Sequence, residues 1–165
     1  MEIVVVTGDI TKQDVEAVVT AGNSRLVDGS GVNGAVHAAA GPELVRASRA
    51  LAPCPAGSAV ITPAFDLAPA RWVIHAVGPR YTGDPSDPDL LMSAYTSSFA
   101  RADEVGARSV AFPSISTGVY GYPAGLAAAL SVEAIRTART DVELVLLVAF
   151  SDDMAEMWNY CLYGG

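Results

Sequence analysis

Two glycine-rich segments of the sequence have the residue types and the spacing to hold an anion. Residues 29–34 read GSGVNG and run into a helix predicted over residues 34–40. Residues 114–123 read SISTGVYGYP, follow a predicted buried strand and precede another helix. Glycines let the backbone approach a phosphate closely, and the N–H groups and dipole of a helix start favour its charge. We predict a phosphate-binding loop at each position; an ordinary turn and a structural Ω-like loop are the alternatives.

Several other chemistries lack their sequence motifs. Neither segment has the GKS or GKT ending of a P-loop, and neither combines GxGxxG spacing with a following ribose-binding acid. Because no GxSxG is present, Ser114 and Ser116 have no nucleophile-elbow context. Cys54 and Cys161 lie far apart, without CxxC spacing or a histidine cluster. The sequence therefore favours neither a metal site nor an ATPase, a dehydrogenase or a serine hydrolase.

The elements that must position both segments alternate between strand and helix. Apolar, β-branched runs predict buried strands over residues 3–6, 17–20, 59–62, 72–77, 109–112 and 144–150. Helical spacing or propensity predicts helices over residues 34–40, 42–51, 88–105, 123–139 and 152–160. This alternation predicts an α/β fold whose mainly parallel sheet lies between helical layers, with ligands at the carboxyl ends of the strands. No linker or repeat divides the chain, so we expect one domain over residues 1–165.

Composition narrows the class of partner. Apolar residues make up 51% of the 165 residues and charged residues 17%, which excludes a disordered chain. The net charge of -8 and the lack of a basic stripe argue against bulk nucleic acid and an anionic membrane as partners. The chain begins without a basic targeting region and has no apolar run of about 18 residues, so a cytoplasmic location is expected.

Six short motifs along the chain resemble the macro domain family. The first two are similar to the opening of macro domains, two look like their ligand loops, and two resemble connecting segments of the MacroD-type branch, which contains ADP-ribosyl hydrolases. They are residues 8–11 and 18–24, residues 31–41 and 113–123, and residues 54–59 and 73–79 respectively. The resemblance spans nearly the whole chain and implies a three-layer α/β/α macro domain with a central mixed, mainly parallel sheet.

The resemblance also implies how an ADP-ribose ligand is held at its adenine end. Asp9 would accept a hydrogen bond from the adenine amino group, with the Ile10 amide beside the ring. Phe150 would flank adenine. The alternatives are that Asp9 caps a turn and that Phe150 belongs to the core.

By the same resemblance, the two loops enclose the diphosphate and the distal ribose, mainly through backbone amides. The residues implied are Gly31, Val32, Gly34, Ala35, Ser116, Thr117, Gly118 and Val119. Asn23 would orient a ribose hydroxyl or a water, and a turn-stabilising amide is the alternative. Tyr120 would close the pocket.

Two residues depart from the family pattern. Asn33 stands where active MacroD-type enzymes usually carry aspartate, and an amide cannot act as a general base, although it can hold a water. Thr20 stands where many relatives have asparagine, a change expected to adjust the site rather than the fold. His37, four residues after Asn33, is a candidate for acid/base or substrate-orienting chemistry, with a packed helix histidine as the alternative. His75 is expected to be structural.

The function implied by the resemblance is hydrolysis of mono-ADP-ribose esters on protein Asp or Glu side chains, or deacetylation of O-acetyl-ADP-ribose, by an ordered water. Asn23, Asn33, His37 and Tyr120 are the candidate catalytic residues, and no cofactor is expected. The partners would be ADP-ribose and mono-ADP-ribosylated proteins. Because Asn33 replaces the carboxylate, attack assisted by a phosphate of the substrate and a non-catalytic ADP-ribose reader both stay open. A macro domain diverted to RNA has little support from the acidic composition.

Overall fold

Six strands form one central sheet in the computed structural model, which describes residues 1–164. The strands are β1 (Glu2–Thr7), β2 (Ala17–Ala21), β3 (Ala59–Pro63), β4 (Trp72–Ala76), β5 (Ser109–Phe112) and β6 (Leu144–Ala149). Their order across the sheet is β1-β6-β5-β2-β4-β3, and β3 runs antiparallel to β4 whereas the other neighbours are parallel. The predicted mixed, mainly parallel sheet is confirmed. Strands β1, β6, β5, β2 and β4 therefore end at one edge of the sheet.

Helices cover both faces of this sheet. They are α1 (Gly31–Ala40), α2 (Pro42–Arg49), α3 (Asp87–Glu104), α4 (Ala124–Thr137) and α5 (Asp152–Tyr163), with a 3-10 turn at Ile10–Lys12. One apolar cluster joins the sheet to α3, α4 and α5, and a second joins it to α1 and α2. The three-layer α/β/α fold is confirmed. Within residues 1–164, none of the helices combines the length and the hydrophobicity that crossing a membrane requires.

Successive strand residues face different helical layers, which explains why the strands read as continuous apolar runs. In β5, Val110 and Phe112 pack with α3, α4 and α5, whereas Ala111 packs with α1 and α2. Leu147 and Val148 of β6 divide in the same way. Because side chains alternate along a strand, a sheet covered on both faces needs apolar residues at every position.

The start of α1 corrects the sequence prediction. The helix begins at Gly31 rather than Gly34, so the glycine-rich loop ends at Ser30 and three of its predicted residues form the first turn. The Gly34 N–H closes that turn on the Ser30 carbonyl at 3.3 Å. Glycine and asparagine are poor helix formers, and here tertiary contacts of Asn33 override that propensity.

Candidate functional site

A cleft of about 1080 Å³ opens along the shared edge where the parallel strands end. Its volume is slightly above the range of about 300–1,000 Å³ typical of small-molecule sites. The sheet order places the segments after β1 and β6 at one end, the β1–β6 end, and those after β2 and β4 at the other, the β2–β4 end. All predicted site residues line the cleft except Gly34 and His37. Those that line it are Asp9, Ile10, Asn23, Gly31, Val32, Asn33, Ala35, Ser116, Thr117, Gly118, Val119, Tyr120 and Phe150.

Asp9 and Phe150 lie at the β1–β6 end. The Asp9 Oδ1 accepts hydrogen bonds from the Thr11 N–H at 2.9 Å and the Thr11 hydroxyl at 2.7 Å, so the side chain caps the 3-10 turn. These bonds lower the pKa of the Asp9 carboxyl and keep it ionised. Phe150 follows β6 and is 87% exposed, which places it outside the core. The capping alternative for Asp9 is therefore observed, while Oδ2 accepts no hydrogen bond within residues 1–164.

The first loop, residues 22–30, is held by two side-chain amides that meet at one carbonyl. The Nδ2 groups of Asn23 and Asn33 both donate to the Val27 carbonyl at 3.0 Å. The Val27 N–H donates back to the Asn23 Oδ1 at 3.3 Å. The turn-stabilising alternative for Asn23 is thus present, and the same side chain lines the cleft. The Asn23 side chain therefore both stabilises the loop and lies where a ligand could contact it.

Thr20 and Asn33, the two departures from the family pattern, contact each other. The Thr20 hydroxyl donates to the Asn33 Oδ1 at 3.1 Å, and Thr20 is fully buried. Asn33 is 5% exposed. Its amide orientation is fixed because Oδ1 accepts from Thr20 and Nδ2 donates to Val27. Each Asn33 group keeps one further hydrogen-bonding position, because Nδ2 has two N–H groups and Oδ1 two lone pairs. Sequence reasoning noted both residues, but nothing in their spacing indicated the pair.

His37 belongs to α1 and does not line the cleft. Its ring centroid is 6.1 Å from that of His75, and both ring nitrogens are buried without a partner among the described residues. Burial lowers the pKa of His37, against a weaker raising effect of Asp28. His75 shares a 3.0 Å hydrogen bond with the Thr62 hydroxyl, and burial, with a smaller effect of His37, lowers its pKa to about 3. Both imidazoles are neutral at neutral pH.

Gly34, in α1, allows the first loop to pack closely against the helix. A Cβ at this position would overlap the Gly29 carbonyl oxygen and lie 3.3 Å from the Gly29 carbonyl carbon. The obstacle is backbone, which cannot rotate away as a side chain can. Gly34 therefore lets the loop return closely over α1, a role distinct from lining the cleft.

The second loop, residues 113–123, is held by a buried tyrosine and by close packing. The Tyr95 hydroxyl donates to the Pro113 carbonyl at 3.2 Å and accepts from the Ile115 N–H at 3.1 Å. Ser116 has a φ of 69°, in the left-handed region, and its hydroxyl is buried beside Gly78. The Ser116 carbonyl accepts from the Tyr122 N–H at 2.9 Å. These contacts fix the loop backbone at the centre of the cleft.

The segment after β4 joins the second loop, a contact that sequence reasoning missed. The Tyr81 N–H donates to the Tyr120 carbonyl at 2.9 Å, and the Tyr81 and Tyr122 rings lie 4.9 Å apart. The Arg80 guanidinium carbon lies 4.8 Å from the centre of the Tyr120 ring. Only the position of residues 78–81 at the end of a predicted strand signalled that they approach the cleft.

The start of α5 supplies further lining residues that sequence reasoning did not name: Ser151, Asp153, Met154 and Met157. Ser151 caps this helix by accepting from the Met154 N–H at 3.2 Å. The charged side chains that line the cleft are Asp9 and Asp153, and no lysine or arginine of residues 1–164 does so. An anionic group in the cleft would thus depend on backbone N–H groups. The described residues hold no cluster of metal-ligating side chains.

Comparison with known proteins gives consistent matches. The family model described as Macro domain matches residues 19–131. A macro domain-containing protein of Streptomyces nogalater is 49% identical over 90% of this chain and 84% of its own length. One of Lactiplantibacillus plantarum is 44% identical over 98% of this chain and 96% of its own length.

Solved structures agree with those matches. A variant of the Oceanobacillus iheyensis macrodomain with ADPR has a TM-score of 0.91 and 39% identity, covering 96% of this chain and 90% of that one. The Trypanosoma brucei macrodomain in complex with ADP-ribose has a TM-score of 0.88 and 32% identity, covering 97% of this chain and 68% of that one. From its sequence, its sheet and these matches, the chain belongs to the macro domain family.

Proposed function

We propose that the cleft binds ADP-ribose, with adenine at the β1–β6 end and the distal ribose at the β2–β4 end. The ionised Asp9 suits the adenine amino group, and the exposed ring of Phe150 offers a face for the base. Asn23 and Asn33 supply amides at the opposite end, where ribose hydroxyls need them. Structural relatives with ADPR or ADP-ribose support the same ligand class.

Backbone amides would hold the diphosphate between these ends. Ser30 precedes α1 in an extended conformation and its side chain does not cap the helix, so the first N–H groups of α1 are left to a ligand. Residues 116–119 line the facing wall. A dianion fits this site without a basic side chain, because helix-start N–H groups and the macrodipole favour negative charge.

The reaction that we propose is hydrolysis of an ester of ADP-ribose, either to a protein Asp or Glu or to acetate. Water adds across the ester, the C–O bond breaks, and the products are ADP-ribose and a carboxylic acid that ionises. Asn23 and Asn33 would orient the ribose and the water, and Tyr120 would cover them. The observation that carries this proposal is the convergence of both amides on Val27 at the β2–β4 end. His37, outside the cleft, fits a packing role.

The competing function is a non-catalytic ADP-ribose reader. It is favoured by Asn33, whose amide cannot take a proton from water and is fixed by Thr20 and Val27. Loss of a positioned general base lowers a rate by about 10²–10⁴-fold. Slow hydrolysis and no hydrolysis are therefore the two outcomes to separate.

The test uses a protein mono-ADP-ribosylated on glutamate, with released ADP-ribose quantified against the spontaneous rate and ADP-ribose affinity measured in parallel. Release above the spontaneous rate supports the hydrolase, whereas binding without release supports the reader. Asn23→Ala is expected to lower turnover more than affinity, since it orients the reacting ribose. Asp9→Ala should lower affinity, with turnover at saturation retained. Equal loss of turnover and affinity in Asn23→Ala would reject its positioning role.

A further inference from the structure

Arg80 is an exposed cation held against the cleft at its β2–β4 end. It follows β4, whose carboxyl end lies beside that of β2, and its guanidinium carbon is 4.8 Å from the ring centre of the cleft-lining Tyr120. A guanidinium over an aromatic face is attracted by the ring, so this contact fixes the direction of an otherwise mobile side chain.

The backbone beside Arg80 is anchored on two sides. The Tyr81 N–H donates to the Tyr120 carbonyl at 2.9 Å, and the N–H groups of Thr82 and Gly83 donate to the Asp87 carboxylate at 3.1 Å. Asp87 is 4% exposed and belongs to the first turn of α3. The segment that carries Arg80 is therefore tied both to the second loop and to a helix.

Arg80 places a positive charge beside the cleft. The chain has a formal net charge of -8, and the charged side chains that line the cleft are the carboxylates Asp9 and Asp153. Both lie after β1 or β6, at the opposite end from Arg80. An acidic segment entering at the β2–β4 end would meet Arg80 rather than these carboxylates.

We propose that Arg80 is a specificity-determining residue that selects acidic peptide segments around an ADP-ribosylated carboxylate. The inference rests on the proposed orientation of ADP-ribose, in which the distal ribose, and hence the attached protein, leaves the cleft at the β2–β4 end. Arg80 offers planar N–H groups that match a neighbouring Asp or Glu carboxylate. The stack on Tyr120 keeps those groups beside the exit, and the partner is a peptide chain rather than the nucleotide.

The test compares two peptides that carry ADP-ribose on a central residue through a hydrolysis-resistant linkage, one with Glu and Asp flanks and one with Gln and Asn flanks. Dissociation constants are measured for both peptides and for free ADP-ribose. The wild-type protein should bind the acidic peptide about threefold more tightly than the neutral one, the size of an exposed ion pair. Arg80→Ala should abolish this preference. It should change the affinities for the neutral peptide and for free ADP-ribose less than twofold. Raising the salt to about 0.5 M should also shrink the preference.

Arg71→Ala is the matched control. Arg71 is exposed and precedes β4, so this substitution removes the same charge at the opposite edge of the sheet. It should retain the preference. An equal effect of both substitutions, no preference in the wild-type protein, or equal loss for all three ligands in Arg80→Ala would overturn the inference. Failure to bind free ADP-ribose would overturn the proposed function and this inference together, whereas intact ADP-ribose binding without a flank preference overturns the inference alone.

Discussion

The two loops that form the cleft are held in different ways. In the first loop, Asn23 and Asn33 donate to the Val27 carbonyl, and both amides also line the cleft. In the second loop, the supporting hydroxyl comes from Tyr95, which is fully buried and does not line the cleft. Stability and proposed chemistry thus share residues in the first loop and are carried by separate residues in the second.

This difference has a consequence for mutations. Changing an amide of the first loop alters the loop and the proposed contacts to ribose or water at once. Changing the support of the second loop moves backbone N–H groups without removing a group that would contact ligand. We expect first-loop changes to separate turnover from affinity, and second-loop changes to act mainly on stability and affinity.

The largest loss of stability is expected from a fall in pH. It acts through His75, which packs beside Gly22 at the start of the first loop. The folded-state pKa of His75 is about 3 against an ordinary value of 6.5, so the unfolded chain binds the proton first as the pH falls. Its contribution is complete above pH 6.5 and is lost toward pH 3, which amounts to about 3 kcal/mol between pH 7 and pH 4. Urea unfolding at the two pH values measures the loss.

His75→Gln is the control for this titration. Glutamine can still hydrogen-bond to the Thr62 hydroxyl but does not titrate, while the carboxylates contribute equally in both proteins. The variant should lose less stability between the two pH values than the wild-type protein. An identical acid loss would show that His75 does not carry the effect.

Among single substitutions, Gly34→Ala, in α1 against the first loop, should give the largest effect. The new Cβ would overlap the Gly29 carbonyl oxygen, so the loop must move away from α1. Overpacking of this kind costs about 1–3 kcal/mol, and we expect ADP-ribose affinity to fall with it. Gly125→Ala, at a helical position where the new Cβ meets no atom within 4 Å apart from its chain neighbours and the backbone of its own helix, should be neutral or stabilising. Similar thermal stability of the two variants would contradict this account.

Tyr95→Phe tests the second loop. The substitution removes the hydroxyl that bridges Pro113 and Ile115 and leaves a buried N–H and a buried carbonyl without that partner. We expect a loss of about 1–2 kcal/mol in the free energy of unfolding and weaker ADP-ribose binding, with turnover at saturation unchanged. Denaturant unfolding and calorimetric binding measure both. A selective loss of turnover would remove the distinction between the loops.

Thr20→Val should have the smallest effect on stability, about 1 kcal/mol, because one buried hydrogen bond to Asn33 is lost without a change of shape. Since the Asn33 amide is then held from one side only, turnover should fall more than ADP-ribose affinity. Thr20→Ser, which keeps the hydroxyl, should retain more of the turnover. Equal turnover in the valine and serine variants would show that this bond does not position Asn33.

Much of the fold follows from the sequence because its causes are local. The alternation of buried strands and helices was visible in the apolar runs and helical spacing, and the six strands and five helices of the structure confirm it. The start of α1 at Gly31 was not visible in the sequence, because helix propensity disfavours Gly-Val-Asn-Gly as a helical turn. That turn depends on Asn33 contacting Thr20 and Val27, residues outside the helix.

The sequence by itself determined the family, the layered fold and the approximate positions of the two loops, because motifs, hydrophobic periodicity and glycine positions act over short stretches of chain. The tertiary structure decided which candidate side chains share the cleft. It placed His37 outside the cleft, paired Thr20 with Asn33, and set Arg80 over Tyr120, 40 residues further along the chain. The contact of Thr20 with Asn33 joins β2 to α1, and that of Arg80 with Tyr120 joins the segments after β4 and β5. Their geometry is therefore fixed only when the order of the strands in the sheet is fixed.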